Sequence, residues 1–368
     1  MKKLSKKAAC LLTACLLASP VALTATAPVR AQEVPAPGNM AEVPAEIARY
    51  MPVDINGHWA QSVITELVHA DIVNGEVINK ETHVNPENPI TRAEFVKLLV
   101  AGLNLNSDQP GKNFTDVPQS QWFHHYVQVA SALGIVQGMT ATTFAPNQPI
   151  TRSEIAAIIS RAFANTVKFT GAPKTFTDVP PGDWARPAID KVSSVGIVNG
   201  YGGNIFKPGA NATRAEAMKI LHSALHLESS ALPEDKLLTD LVINNERENF
   251  EALQAKDYTR PLELNKQYNT GYLLHAMDVS VQAMQQMKQN GVTLDMTHTG
   301  TYGATVVSKS DRFATVDLTG ASYDFTVKSA QATYTQSQDT SGLMLLRKLP
   351  DGTWKNYSSQ PKPVRQTP

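Results

Sequence analysis

Cysteine is nearly absent from this 368-residue sequence, since its two cysteines, Cys10 and Cys15, both lie near the start. Beyond them there is no disulfide and no thiol nucleophile. Long apolar runs are also missing after residue 31, where no segment approaches the roughly 20 apolar residues of a membrane-spanning helix. These absences exclude a disulfide-stapled domain, a cysteine-dependent enzyme and a membrane-spanning helix after residue 31 of this sequence.

The first 31 residues have the layout of a secretory signal peptide. Four lysines precede an apolar run from Ala8 to about Leu23, and Val-Arg-Ala at residues 29–31 offers a cleavage site after Ala31. A cysteine-free exported chain is typical of a bacterial envelope. An alternative is a lipid anchor at Cys15, because residues 12–15 resemble a lipobox; the apolar run continues past Cys15, which argues against it.

Charge is balanced, with 33 basic and 33 acidic residues. Five of the basic residues lie in the predicted leader, which leaves 28 against 33 and a net charge of −5 for the remainder. Without a clustered basic face we expect no nucleic-acid partner. Residues 32–50 are rich in proline and alanine and predict a linker.

An internal repeat organises the next part of the chain. Each copy has an aspartate, a tryptophan, an Ile-Val-x-Gly turn and a Thr-Arg-x-Glu segment, and the aspartates are spaced by 62 residues. The recurring residues are Asp54, Trp59, Gly75 and Arg92; Asp116, Trp122, Gly138 and Arg152; and Asp178, Trp184, Gly200 and Arg214. Apolar spacing after each tryptophan predicts helix–loop–helix, with the second helix starting at the Thr-Arg-x-Glu segment.

Helix capping explains the threonine and glutamate of that segment. Thr91 and Glu94, and their counterparts in the other copies, are three residues apart, as in a capping box. The arginine at the first helical position is not explained this way, because a cation beside the positive end of a helix dipole is unfavourable by about 0.3–1 kcal/mol. We interpret it as part of an anion receptor beside exposed helix N–H groups. The alternative is a structural ion pair with an aspartate or with another repeat.

The other repeated residues also allow two interpretations. Each aspartate either caps a turn or binds a ligand, and each tryptophan either belongs to the core or stacks on a sugar ring. Each turn glycine provides a positive φ or a close backbone approach, which would also admit a ligand.

Together these residues resemble the S-layer homology module, over roughly half of the chain. The resemblance implies three copies that fold together as a pseudo-trimer and anchor an exported protein to wall polysaccharide, often a pyruvylated polymer linked to peptidoglycan. By resemblance, the grooves between repeats use the three arginines for the acid group, and the aspartates, tryptophans and glycines for the sugar. The first copy departs from the pattern: Asp71 replaces a turn glycine and the loop after Gly75 is three residues longer. We therefore expect the loss of Arg152 or Arg214 to weaken binding more than the loss of Arg92.

The part beyond the repeats changes character. Helices are predicted near residues 237–255 and 271–290, and five β-rich segments follow, at residues 305–308, 312–318, 322–327, 343–349 and 354–358. Helices before a meandering antiparallel sheet predict an α+β domain. Its closing hairpin weakly resembles the NTF2-like cone fold.

The expected architecture is a mainly α pseudo-trimer of helix–loop–helix repeats followed by a separate α+β domain with an antiparallel sheet. The predicted divisions are a signal peptide (1–31), a linker (32–50), repeats at 51–106, 112–168 and 174–228, a C-terminal domain (232–360) and a tail (361–368).

Catalytic signatures are scarce, and we expect no catalytic residue, no cofactor and no metal. His222 and His226, four residues apart on a helix, have metal-ligand spacing, but we expect a solvent-facing or packed pair. Glu246, Glu248 and Asp257 predict a solvated helix face. The favoured function is a non-catalytic wall-anchored protein. Alternatives are an anchored enzyme acting through the C-terminal domain and an S-layer lattice subunit, for which the non-anchor part is small.

Overall fold

A computed structural model describes residues 44–330 and 332–361. The predicted signal peptide, both cysteines, most of the predicted linker and residues 362–368 lie outside this part. Residues 44–50, which we placed in the linker, form a short helix (α1, Ala45–Ala48) and a turn, and the side chains of Ile47 and Tyr50 are buried.

The repeats fold as helix–loop–helix units, as predicted. Each first helix follows its tryptophan, and each second helix begins at its arginine. These helices are α2 (Gln61–His69) and α3 (Arg92–Gly102), α4 (His124–Ala132) and α5 (Arg152–Ala162), and α6 (Arg186–Ser194) and α7 (Arg214–Leu225). A short 3₁₀-helix, Val53–Ile55, precedes α2.

The longer loop of the first repeat is an antiparallel hairpin of β1 (Glu76–Ile78) and β2 (Glu81–His83). Asn79 and Lys80 at its tip have φ values of 52° and 69°. Two successive positive φ angles are what a two-residue type I′ turn requires. The three extra residues are therefore accommodated outside the helical framework.

Helices precede an antiparallel sheet in the C-terminal part. The helices are α8 (Asp235–Gln254), α9 (Arg260–Tyr268) and α10 (Gly271–Gln289). The strands are β3 (Thr293–His298), β4 (Gly303–Lys309), β5 (Phe313–Thr319), β6 (Ser322–Lys328), β7 (Thr333–Asp339), β8 (Gly342–Lys348) and β9 (Trp354–Pro361). The prediction missed α9, β3 and β7, since the polar composition of β7 lacks the alternation expected of a half-buried strand.

The strands form two antiparallel sheets. The order is β3-β6-β7 in one sheet and β4-β5-β8-β9 in the other, with all pairs antiparallel. Gly300 and Gly320 meet where the chain passes between the two sheets, and a Cβ on Gly320 would lie 1.9 Å from the carbonyl oxygen of Thr301. Only glycine allows this approach, and Gly320 also has a φ of 69°. α8 lies against β3, β4 and β5, and α10 against β9.

The repeats and the C-terminal part share hydrophobic packing. Tyr272, Phe313 and Tyr357 of the C-terminal part belong to the same buried cluster as the repeat core, while α8, α10 and the sheet enclose a second core. Polar contacts cross the same boundary: Asn104 donates to the carbonyl of Lys348 at 2.9 Å, and Arg347 donates to the carbonyl of Ala70. The α+β part is thus docked against the repeats rather than packed by itself alone. Within the described ranges, no helix is long and apolar enough to cross a membrane.

Candidate functional site: grooves between the repeats

Three backbone hydrogen bonds join the repeats in a closed ring. The N–H of Ile90 donates to the carbonyl of Ala212 at 3.1 Å, Ala212 donates to Ile150 at 3.0 Å, and Ile150 donates to Ile90 at 2.9 Å. All three side chains are fully buried. Each residue comes from a different repeat. The three residues therefore surround a pseudo-threefold axis, close to the start of the second helix of each repeat.

The repeated arginines tie each copy to the next. Each guanidinium forms an ion pair through Nη1 with the capping glutamate of the following repeat, and donates through Nε to a loop carbonyl there. The ion pairs and their N–O distances are Arg92–Glu154 (2.8 Å), Arg152–Glu216 (3.4 Å) and Arg214–Glu94 (3.0 Å). The carbonyls belong to Phe144, Phe206 and Val84. A structural ion pair with another repeat, one of the two interpretations of the sequence, is therefore present in all three copies.

The helix N–H groups are not exposed, contrary to the expectation of an anion receptor at that point. The N–H groups of Arg92 and Ala93 donate to the carbonyls of Gln148 and Pro146, at 2.9 and 3.0 Å. The other two repeats repeat this arrangement. The N–H of Glu94 is bonded by the threonine cap. That part of the prediction was wrong because a neighbouring loop, invisible in the local sequence pattern, occupies the helix start.

The predicted capping boxes are confirmed at Thr91, Thr151 and Thr213. Each glutamate serves two contacts at once. In the second repeat, Oε2 of Glu154 accepts the N–H of Thr151 at 2.8 Å, while Oε1 accepts Arg92. The carboxylate thus joins helix capping to the contact between repeats.

The repeated aspartates accept hydrogen bonds from the same loop residues whose carbonyls bind the arginines. The carboxylate of Asp116 accepts the N–H groups of Phe144 at 2.8 Å and Ala145 at 2.7 Å, while Arg92 binds the carbonyl of Phe144. Asp54 and Asp178 make the equivalent bonds to residues 84–85 and 206–207. Burial alone would raise the pKa of Asp178, but the two backbone N–H groups outweigh it and hold the pKa below its usual range. The turn-capping interpretation accounts for these contacts.

The repeated tryptophans are exposed, not part of the core. Trp59 is 60% exposed, Trp122 52% and Trp184 67%. Large aromatic side chains lose favourable burial when they stay in water, by about 25 cal/mol per Å². Three equivalent exposed rings therefore need a reason other than folding stability.

The turn glycines permit close packing beneath the surface. Gly138 and Gly200 have φ values of 88° and 69°, and a Cβ on either would lie 2.5 Å from a phenylalanine ring, that of Phe114 or Phe176. Gly75 has no positive φ, but a Cβ there would lie 2.3 Å from Thr82. Both predicted reasons for glycine apply in the second and third repeats, and close approach alone in the first.

Two grooves open between the repeats. The Trp184 groove has a volume of about 520 Å³ and the Trp59 groove about 440 Å³. Arg92, Gly138, Glu154, Arg161 and Trp184 are among the residues that line the first. Trp59, Arg152, Gly200, Glu216 and Lys219 are among those that line the second. Each groove takes its arginine, its glycine turn and its tryptophan from three different repeats.

The third set of repeated residues is arranged differently. Trp122 lies under the ammonium of Lys97, 5.7 Å from the ring centre. Gly75 lines a smaller cavity of about 200 Å³ with Arg49, Tyr50 and Asp71, where neither Trp122 nor Arg214 contributes. The two grooves described above also lack the three aspartates.

Two cations that we did not predict face the grooves. Arg161 lines the Trp184 groove and exposed Lys219 lines the Trp59 groove. Within the described residues neither forms an ion pair. Burial lowers the pKa of Arg161, and the positive charge of Arg92 lowers it further. Lys97 and Lys219 both lie three residues after a capping glutamate, and this shared spacing could have identified Lys219 from the sequence.

A separate polar cluster lies in the C-terminal part. Glu246 of α8 accepts the hydroxyl of Tyr323 at 3.2 Å, and the hydroxyls of Tyr323 and Tyr302 are 2.8 Å apart. The ring of His298 stacks on Tyr302, with centroids 4.0 Å apart. Burial raises the pKa of Glu246, although Tyr323 and His298 oppose the shift. The prediction of a solvated face was therefore wrong for Glu246, which turns toward the sheet.

Comparison with known proteins agrees with the repeat. The sequence profile of the S-layer homology domain matches residues 53–96, 113–156 and 175–218. The chain is 35% identical over 176 residues to an amylopullulanase of Thermoanaerobacterium thermosulfurigenes, covering 47% of this chain and 9% of that protein. It is 30% identical over 166 residues to the S-layer protein sap of Bacillus anthracis, covering 45% and 20%. It is 28% identical over 146 residues to a cellulosome-anchoring protein of Acetivibrio thermocellus, covering 38% and 33%. The chain spans a third or less of the length of these relatives, and the predicted resemblance is confirmed for the repeats.

Proposed function

We propose that this chain, which carries three S-layer homology domains, is an exported envelope protein that binds cell-wall polysaccharide through the grooves between those domains. The docked C-terminal part, for which we propose an NTF2-like fold, is then held at the cell surface without catalysing a reaction. The names of two relatives, an S-layer protein and a cellulosome-anchoring protein, are consistent with a surface-anchoring role.

The observation that carries the proposal is the exposed tryptophan across from a buried arginine in each groove. Trp184 is 67% exposed, while Arg92 in the same groove is 5% exposed. An aromatic face beside fixed hydrogen-bonding groups is suited to a sugar ring, whose C–H face is apolar and whose rim is polar. Residues of all three repeats line each groove.

Each groove has two basic and two acidic side chains in its lining, and the cation without an ion-pair partner among the described residues favours a sugar with an acid group. The ring arginines already have glutamate partners, so an acid group would be met by the additional cations, Arg161 and Lys219. Burial and, after it, the positive charge of Arg92 lower the pKa of Arg161, and a bound carboxylate would stabilise its charged form. A pyruvyl ketal supplies such a carboxylate, which supports the pyruvylated polymer as the ligand.

Binding is tested by sedimentation of the full-length mature protein with purified wall sacculi from the producing organism. We expect the protein to co-sediment, and to stay in solution after the polysaccharide is removed with the peptidoglycan left intact. Mild removal of the pyruvyl groups alone separates the acid group from the sugar backbone. Binding that persists after the whole polysaccharide is removed would overturn the proposal. If binding persists after depyruvylation but is lost with the polysaccharide, the protein recognises the sugar and not the acid group.

A second candidate function rests on the cluster around Glu246. A half-buried carboxyl beside two tyrosines and a histidine could form a binding pocket or act as an acid catalyst, and some relatives are named as enzymes. Glycoside hydrolysis generally needs two carboxyl groups about 5–9.5 Å apart, and this cluster contributes one. Incubation of sacculi with the protein should release no soluble sugar. Release that disappears in a Glu246→Gln variant would favour the enzyme.

A further inference from the structure

His222 and His226, which we expected to be a packed or solvent-facing pair, converge on a carboxylate from another repeat. His222 lies in the last turn of α7 of the third repeat and His226 directly follows that helix, while Glu66 lies on α2 of the first. The Nε2 atom of each histidine is 3.0 Å from a different oxygen of the Glu66 carboxylate. All three donor atoms lie within 4.8 Å of one another.

We propose that Glu66, His222 and His226 form a site for a divalent transition-metal ion of the zinc type. Two imidazole nitrogens and a carboxylate are a ligand set that zinc accepts, with a water completing the coordination. Ligands about 2.0–2.1 Å from a tetrahedral ion lie roughly 3.3 Å from each other. The N–O separations of 3.0 Å therefore need only small side-chain rotations to admit the ion.

The candidate ligands are themselves hydrogen-bonded to neighbouring groups, as the ligands of metal sites usually are. Nδ1 of His226 lies 2.9 Å from the carbonyl of His222, which places a proton on Nδ1 and leaves Nε2 as the free ligand atom. The hydroxyl of Tyr357 donates to Oε1 of Glu66 at 2.9 Å. Such outer contacts fix the tautomer and the orientation of metal ligands.

The position gives the ion a structural role. Chain continuity joins the first repeat to the second and the second to the third, but only non-covalent contacts close the ring between the third and the first. The arginine pair at that seam, Arg214–Glu94, is also the most exposed, at 16% and 35% against 6% and 16% for Arg92–Glu154. A metal held by α2 and α7 would fasten this seam, and Tyr357 would couple it to the C-terminal sheet.

Direct hydrogen bonding without metal is the competing explanation. In that case both Nε2 atoms must donate to Glu66, and His226 must carry a second proton on Nδ1, which makes it an imidazolium. The side chains of His222, Glu66 and His226 are 15%, 18% and 31% exposed, so an ion can reach the site from solvent. The two explanations differ in whether a metal displaces those Nε2 protons.

The test uses the full-length mature protein, freed of metal with a chelator and titrated with ZnCl₂ by calorimetry. We expect one Zn²⁺ per chain, a higher unfolding temperature with Zn²⁺ than with Mg²⁺, and the visible absorption of tetrahedral Co²⁺ when cobalt replaces zinc. Because the cobalt spectrum is read on the unaltered protein, it does not depend on how a variant folds.

Variants then locate the ion. His222→Gln should abolish stoichiometric binding, and Tyr357→Phe should weaken it by about 10–100-fold. The matched control is a His124→Gln, His125→Gln protein, which removes an adjacent histidine pair on α4 and should bind as the parent does. Absence of binding to the parent protein, or equal binding by the His222→Gln variant, would overturn the site and leave the direct ion pair as its explanation.

Discussion

Replacing Arg92 with methionine lowers the free energy of unfolding by about 3–5 kcal/mol, the cost of leaving a buried charge without its partner. The guanidinium binds Glu154 at 2.8 Å and the carbonyl of Phe144 at 2.9 Å. Methionine fills similar space but makes neither bond. Equilibrium denaturation by guanidinium chloride, followed by tryptophan fluorescence and circular dichroism, measures the loss.

The loss of unfolding free energy should be larger for the more deeply buried arginines. The side chain of Arg92 is 6% exposed and that of Arg214 is 16%, with Glu94 at 35%. We therefore expect Arg214→Met to cost less than Arg92→Met, since solvent screens the exposed pair. Arg260→Met breaks a surface pair, 49% and 66% exposed, and should cost less than about 1 kcal/mol. Equal losses for Arg92 and Arg260 would contradict a structural role for the ring of ion pairs.

Replacing both Trp59 and Trp184 with alanine should weaken sacculus binding by about 100-fold, while the unfolding free energy changes little. Each stacked ring contributes about 0.5–1.5 kcal/mol beyond the area that it buries, and every 1.4 kcal/mol is tenfold in affinity. Both side chains are more than half exposed in the free protein, so their removal leaves no cavity. Sedimentation at graded protein concentrations gives the affinity.

Trp122→Ala is the matched control for that pair. Trp122 is similarly exposed, at 52%, but it lines neither groove. We expect less than a threefold change in affinity, by the same relation between free energy and affinity. A loss equal to that of Trp184→Ala would show that the surface around Trp122 also binds the polysaccharide. If the affinity of the Trp59, Trp184 double variant is unchanged, the tryptophans do not contribute to binding.

The grouping of site residues by groove reverses one expectation from the sequence. Taken repeat by repeat, Arg92 belongs to the atypical first copy and should matter least for binding. The structure places Arg92 beside Gly138 and Trp184, from the second and third copies. Arg214 instead pairs with Glu94 of the first copy, and lines neither groove. We now expect Arg92 and Arg152 to affect binding more than Arg214, once their contributions to stability are separated.

Patterns within a few residues predicted the local structure well. The Thr-x-x-Glu spacing predicted capping boxes that are present at all three helices, because a capping box depends on atoms one helical turn apart. The turn glycines were also predictable, because a positive φ or a close backbone approach is a local requirement of the turn. The two outer strands of the β3-β6-β7 sheet were harder to predict, since β3 and β7 gain their pairing from β6 rather than from their own composition.

The sequence by itself determined that the chain has three related helix–loop–helix copies, which residues recur, and that arginine at the helix start needs a partner. Only the tertiary structure decided that this partner is a glutamate of the next repeat, that the tryptophans face solvent, and that Glu66 meets His222 and His226 across the closing seam. The physical reason is the range of the interactions. Capping and helical periodicity act within one turn of the chain, whereas ion pairs, grooves and metal ligands depend on which surfaces the shared core brings together.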